Sequence, residues 1–342
     1  MTAGTTAENS IKNSGRDTSA RLARLGRRAR QIAFFLATAT LAGWCAVAFS
    51  VHQEGVPLYI CWAVVAAATV SALVLKFRGS QLGWSALAIM GLTAAGWYGS
   101  IQPSDARDWA PEVAHGVTAR VNGDEVLLDN VRNFDRAGPV MERWESHGYD
   151  LAALSTVELI SADTDGPDIA RHLVRFGFDD GRTVVFSVQV RREADETYSP
   201  IGALFRQFEV VLIAATDQDI LRAWSSRLGD AMHSQTLTLS HEQRREVFMS
   251  YVDLAQELAE RPAFYSSLTQ TIATTLLDIA RQTQPDMKVN WRVVLSGHLP
   301  DCLQAMGAMA DAGGHAAHMA SADEPARPLP ARSGSDARIM RD

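Results

Sequence analysis

The sequence predicts a membrane-anchored α+β protein, with three N-terminal transmembrane helices followed by a mixed, mainly antiparallel sheet domain with helices. Three observations predict it. Residues 32–51, 57–75 and 82–101 are apolar runs without Asp, Glu, Lys or Arg. Beyond them, short β-type runs come first and helical patterns come late and grouped, which argues against alternating βαβ units. Two Asx-Gly dipeptides, Asn122-Gly123 and Asp180-Gly181, sit between strand-like runs, the strongest short-range hairpin signal.

Each apolar run is about twenty residues, the length that crosses a hydrocarbon core of about 30 Å. Core helices of soluble proteins rarely run so long uncharged. The formal net charge of −7 hides a split, because the first thirty residues are basic. Arg16, Arg21, Arg24, Arg27, Arg28 and Arg30 precede the first run, and Lys76 and Arg78 lie between the second and third. That bias predicts an inner-membrane protein with a cytoplasmic N-terminus and a periplasmic C-terminal domain. It also explains the basic arm without nucleic acid. A cleaved signal peptide is an alternative for the first run alone. The expected map is 1–30 basic cytoplasmic N-terminus, 31–102 three transmembrane helices, 107–312 extracytoplasmic domain and 313–342 flexible tail.

Within the domain, 117–128 reads as a hairpin around Asn122-Gly123, and 131–134 continues extended. Residues 140–144 and 151–154 are short and mixed. Ser199-Pro200-Ile201 breaks the chain before a short turn at 204–206. Residues 208–214 read as a buried strand, 217–227 as helix or turn, and 232–239 as a further strand. Ser240 with Gln243 three residues on gives a capping box, followed by an apolar face of Phe248, Val252, Ala255 and Leu258. Pro262 ends that helix. A second helix or turn-plus-helix is expected over 264–281, a strand over 289–294 and a last helix over 299–309.

Composition and motifs exclude several chemistries. The only cysteines are Cys45, Cys61 and Cys302, too few for a disulfide framework or a Cys-rich metal site. His315 and His318 have H-x-x-H spacing, but a metal site needs more ligands and an ordered scaffold. No Gly-rich phosphate loop and no G-x-S-x-G elbow occurs. No cofactor is expected.

The stretch 170–193 carries the most chemistry. A two-residue turn at Asp180-Gly181 sets Phe176 opposite Val185, Val174 opposite Ser187 and His172 opposite Gln189. Opposed residues share a face, with Cβ atoms about 4.5–5.5 Å apart. A three-residue loop slips the register and sets Val188 opposite His172 instead. A histidine beside a hydrogen-bonding partner is half of a nucleophilic site. The bland reading is a sheet histidine satisfied by its neighbours. Arg191 and Arg192 read as a solvated edge or as contacts for anionic lipid headgroups.

Seven phrases occur in one order: RDWAPEVA at 107–114, NVRNF at 130–134, YDLAALSTVEL at 149–159, RHLVRFGFDDGRTVVFSVQVRRE at 171–193, YSPIGALFRQFEVV at 198–211, RPAFYSSLT at 261–269 and WRVVLSGHLP at 291–300. Together they resemble the Lnb N-terminal periplasmic domain family. The resemblance implies a permuted papain-like fold, with a histidine on a strand and a cysteine at a later helix start. It implies thiol-based acyl transfer or hydrolysis on lipoproteins or lipids. A thiol at a helix N-terminus has its thiolate stabilised by the dipole and by a neighbouring imidazole.

The family pattern at the nucleophile resembles FYNTLTNNCTT. Here residues 264–275 read FYSSLTQTIATT, which sets Ile272 at the cysteine position. An isoleucine cannot attack a carbonyl. The acidic residue often seen on the second strand falls on Gln189. The resemblance therefore names His172 and Gln189 as the catalytic family positions, Ile272 as the vacated nucleophile position, and Thr271 as the fallback hydroxyl. Thr271 and Ser267 otherwise read as helix caps. Phe264 and Tyr265 read as packing, and Cys302 serves only if the fold carries it to His172. Two functions remain: a Cys–His acyltransferase relative that lacks its thiol, or a membrane-anchored domain that binds or scaffolds lipid or lipoprotein. A rebuilt active enzyme is a third.

Overall fold

The structure is a computed structural model that describes residues 4–79, 81–135, 140–163, 170–228 and 232–265. The chain divides into two units, 1–105 with 197–208, and 106–196 with 209–342.

In the first unit, α1 (Gly4–His52), α2 (Gly55–Phe77) and α3 (Leu82–Ser100) form a bundle. Phe34 of α1, Ala72 of α2 and Leu87 of α3 make its core. Small residues let the helices close: the Cα of Gly83 abuts Lys76 and the Ala72 carbonyl, where a methyl would be crowded. The Lys76 ammonium lies 5.2 Å from the Phe34 ring and 5.6 Å from the Trp84 ring, and Arg30 donates to Gln81. The basic residues of α1 and α2 thus meet α3 at one end of the bundle.

Two of the three expected spans stand out as candidates by length and composition. Residues 25–52 of α1 and the whole of α2 are long and apolar enough to cross a membrane, and α3 is not. The reason is composition: its 19 residues include Gly, Ser, Thr, Trp and Tyr, which dilute its aliphatic content.

The same unit holds the segment 197–208, where the sequence suggested a break and a turn. It forms a short helix, α4 (Pro200–Leu204), with Ser199 as N-cap and Pro200 in the first turn, where a missing N–H costs nothing.

The second unit is built on one sheet. Its strands are β1 (Thr118–Asn122), β2 (Glu125–Arg132), β3 (Trp144–Asp150), β4 (Leu154–Asp163), β5 (Ala170–Phe178), β6 (Thr183–Arg191), β7 (Glu209–Ala215) and β8 (Met232–Thr236). The order is β1-β2-β7-β6-β5-β4-β8, with β3 also paired to β2. All pairings are antiparallel except β2 with β7, which is parallel through Arg132↔Ala215. This is the mixed, mainly antiparallel sheet that the sequence predicts.

Helix α6 (His241–Glu260) covers one face. Its capping box forms as expected, with Ser240 Oγ accepting from the Gln243 N–H at 3.2 Å and Gln243 Oε1 accepting from the Ser240 N–H at 2.8 Å. Phe248 and Tyr251 project onto Phe176 and Phe186 of the hairpin; the Tyr251 and Phe186 rings stack at 5.0 Å. The other face packs Ile160, Leu173, Val185, Val211 and Ile213 under Ile220 of α5 (Asp217–Leu228) and under Ala110 and Val113. Every residue of β7 is buried, as its unbroken apolar run demands of a central strand.

Two strands, β3 and β4, go beyond the sequence reading. Both carry charged or hydroxyl residues between their apolar positions, so neither shows a clean alternation. The expected elements at 264–281, 289–294 and 299–309 lie outside the described residues.

Candidate functional site

The hairpin of β5 and β6 turns through Asp179, Asp180 and Gly181. The Phe178 N–H donates to the Arg182 carbonyl, and the Gly181 N–H donates to the Phe178 carbonyl. Gly181 has φ +82°, the left-handed residue that closes a three-residue loop. Asp180 steadies the turn: its carboxylate accepts from the Arg182 N–H at 2.9 Å and from the Arg182 guanidinium at 2.6 Å. The guanidinium holds the Asp180 carboxyl below its ordinary pKa.

That loop length sets the register at Phe176↔Val184, Arg175↔Val185 and Val174↔Phe186. The expected two-residue turn is therefore replaced by the three-residue alternative. His172 and Gln189 are not opposed; the same register extended sets Val188 level with His172 and Arg171 level with Gln189. His172 pairs instead with Ser161 of β4, and Gln189 with Val211 of β7. The Gln189 amide donates to Ser187 Oγ at 3.3 Å. Parity places Gln189 on the α5 face, with Val185, whereas Val174 and Phe176 lie on the α6 face.

Gln189 sits near the place where the later segment joins the sheet. Glu209 of β7 pairs with Arg191 and also bridges to Phe264, and the Val210 N–H donates to the Ala263 carbonyl at 3.0 Å. Phe264 is buried, the packing role expected of it. Phe264 is thus joined through Glu209 to Arg191, two residues along β6 from Gln189. Ser267, Thr271, Ile272 and Cys302 lie outside the described residues.

Across the sheet stands a belt of buried and half-buried charge that the sequence did not reveal. Arg191 is corrected: it is neither a solvated edge nor free for headgroups. It is buried, donates to the Val113 and Ala114 carbonyls at 3.0 and 2.7 Å, and stacks 4.5 Å from the Trp109 ring. Arg107 bridges Glu193 at 3.2 Å and the buried Glu209 at 3.4 Å. Arg132 and Asp219 pair at 2.6 Å with side chains 4% and 0% exposed. Arg175 bonds Glu158 at 3.0 Å and Asp217 at 2.9 Å. Burial lowers the Arg175 pKa, but the charges of Asp217 and Glu158 outweigh it and raise it overall. One signal was available: RDWAPEVA sets Arg107 two residues from Trp109, ahead of the apolar Ala110 and Val113. The belt holds the strands to the 107–114 segment.

No group of three or more potential metal ligands occurs among the described residues.

Residues 141–298 match the family model of the Lnb N-terminal periplasmic domain. This segment is similar to that family. The resemblance read from the seven phrases is borne out over that range. Comparison with curated proteins and with solved structures gives no match. The match takes in β3 to β8 and α6, and so the hairpin and position 272, while Arg107, Trp109 and Arg132 of the belt lie before it. With the apolar α1 and α2, the Lnb-type domain points to a membrane-anchored protein with a periplasmic domain.

Proposed function

We propose that this protein is an inner-membrane relative of Cys–His acyltransferases that act on lipoproteins or lipids, and that it lacks their thiol chemistry. Its N-terminus is cytoplasmic and its Lnb-type domain periplasmic. The basic residues gathered at one end of the bundle support that orientation. The third helix, α3, crosses as the packed partner of α1 and α2 rather than by its own hydropathy.

The observation that carries the reading is Ile272, which stands inside the matched segment where the family pattern has cysteine. His172 is the base position of that pattern. Gln189 is the position that the resemblance gives to its partner. The residual role is to hold a lipid or lipoprotein acyl group without turning it over. Thr271 is the fallback nucleophile, and it needs a strong base and an oxyanion hole to act.

The test uses the full-length protein with Cys45, Cys61 and Cys302 changed to Ser. Ile272→Cys is expected to gain a hydroxylamine-sensitive thioester from a p-nitrophenyl fatty ester, and Ile272→Cys with His172→Ala is expected to lose it. An acyl-enzyme in the protein without Ile272→Cys would overturn the lost-thiol reading. An inert Ile272→Cys variant would overturn the acyl-transfer ancestry. Reactivity that survives His172→Ala would remove His172 as the base.

A further inference from the structure

We infer that the segment 197–208 is a second membrane attachment, which seats Ile201 and Leu204 in the lipid–water interface beside the ends of α1 and α3. The inference rests on the membrane reading of the helical bundle.

The segment is a built element. Ser199 Oγ accepts from the Gly202 N–H at 3.2 Å, and the Tyr198 and Phe208 rings stack at 5.5 Å. A methyl on Gly202 would collide with Gln207 Oε1 and crowd the Phe208 ring. Arg206 holds φ +60°, which a side chain adopts only when its surroundings over-determine it. Its guanidinium lies 4.6 Å from the Tyr98 ring and donates to the Tyr98 carbonyl at 3.3 Å.

Its depth follows from helix geometry. The Phe205 carbonyl meets His52 Nε2 at 2.7 Å, at the last residue of α1, while the Phe205 ring lies 5.8 Å from Trp44. Eight residues of helix rise about 12 Å. Phe205 therefore lies beside the last turns of α1, its carbonyl at the helix end and its ring turned toward the apolar span. The rings it meets form an aromatic collar: Trp44 against Tyr98 at 5.0 Å and Phe49 against Trp97 at 4.3 Å. Aromatic collars of this kind mark the headgroup level.

The outward side of α4 is apolar. Ile201 is 57% and Leu204 72% exposed. The stretch TYSPIGALFRQF carries a single charge, that of Arg206, so nothing in it repels an anionic headgroup. An apolar surface continuous with membrane helices, at the level of their aromatic collar, fits one occupant: the acyl–headgroup boundary of a bilayer, where interfacial helices bury their apolar faces about 5–10 Å deep.

The test places an NBD probe on single cysteines of the full chain, with Cys45, Cys61 and Cys302 replaced by Ser, in phosphatidylethanolamine–phosphatidylglycerol vesicles. Leu204→Cys and Ile201→Cys each report the segment. Ala67→Cys, on the lipid-facing side of α2, reports the span, and Asn122→Cys the aqueous domain. The expected result is that both segment probes shift blue and are quenched by shallow spin-labelled lipid more than by deep. Ala67 should be quenched by the deep label, and Asn122 by neither. Segment probes that behave like Asn122 while Ala67 is quenched would overturn this attachment alone. An unquenched Ala67 would overturn it together with the membrane reading.

Discussion

At the scale of single residues, the buried belt makes the sharpest predictions. Asp219 and Arg132 are so enclosed that removing one partner strands the other. Asp219→Leu should cost about 3–5 kcal/mol, the range for breaking a buried pair. Arg132→Met with Asp219→Leu should cost less than either alone, because no charge is left uncompensated. A double-mutant cycle by denaturant unfolding measures the difference. Tyr251 presents the opposite case. Its hydroxyl is buried and has no partner among the described residues. Tyr251→Phe should therefore leave stability unchanged or raise it, read as an unaltered or higher Tm. Burial, with little opposing it, pushes the phenol pKa values of Tyr149 and Tyr251 up, beyond the ordinary range. A raised folded-state pKa contributes stability that is complete below the unfolded value of about 10 and fades as pH rises above it. In an alkaline titration of the six tyrosines, the phenolate absorbance of these two should appear only as the fold is lost.

At the scale of elements, local signals were legible and long-range ones were not. The capping box of α6 needs only residues 240 and 243, and it formed as read. Ser240→Ala should cost about 1 kcal/mol by thermal unfolding, the usual worth of an N-cap. The hairpin of β1 and β2 also closes where Gly123, at φ +64°, allows. The hairpin of β5 and β6 was legible in place but not in register. Asp-Gly marks a turn, yet the turn took in Asp179 as well, and one extra residue moved Gln189 to the face away from Val174. Gly181→Ala should cost roughly 1–2 kcal/mol, the penalty for a side chain in the left-handed region, measurable as a lowered denaturation midpoint. Arg191 was illegible for a different reason. Its partners are two carbonyls near residue 113 and a ring at residue 109, and no local pattern announces them. The strand β4 lies between β5 and β8 with Val157, Leu159 and Ile160 buried, a setting that its own Ser, Thr and Glu residues obscure.

At the scale of the whole molecule, charge and hydropathy carry the argument. The apolar α1 and α2, the arginines ahead of them and the periplasmic family of residues 141–298 together predict sidedness. In a host with an outer membrane, a membrane-impermeant maleimide should label Asn122→Cys once the outer membrane is opened. It should label Arg28→Cys only after the inner membrane is broken. Equal labelling of both in sealed spheroplasts would refute the orientation. The candidate site was half legible at this scale. The match includes His172, Gln189 and Ile272, but their grouping depends on how strands far apart in sequence come to lie side by side.

The parallel contact of β2 with β7 has a kinetic meaning. The strands β1 to β3 are joined to the rest of the sheet through the Arg132↔Ala215 pairing, the Val117 N–H to the Leu212 carbonyl, the Thr216 N–H to the Arg132 carbonyl and the Arg132–Asp219 ion pair. The β6–β7 ladder runs over seven residue pairs. The ribbon also shares the α6 core through Leu128 and Tyr149, so the short backbone seam, not the core, is where the sheet opens first as a local unit with its own free energy. During export the β1–β3 ribbon emerges first and must wait, edge unpaired, for β7 to arrive. Amide hydrogens of 118–150 should then exchange ahead of those of β5 to β7, and Asp219→Leu should widen that gap.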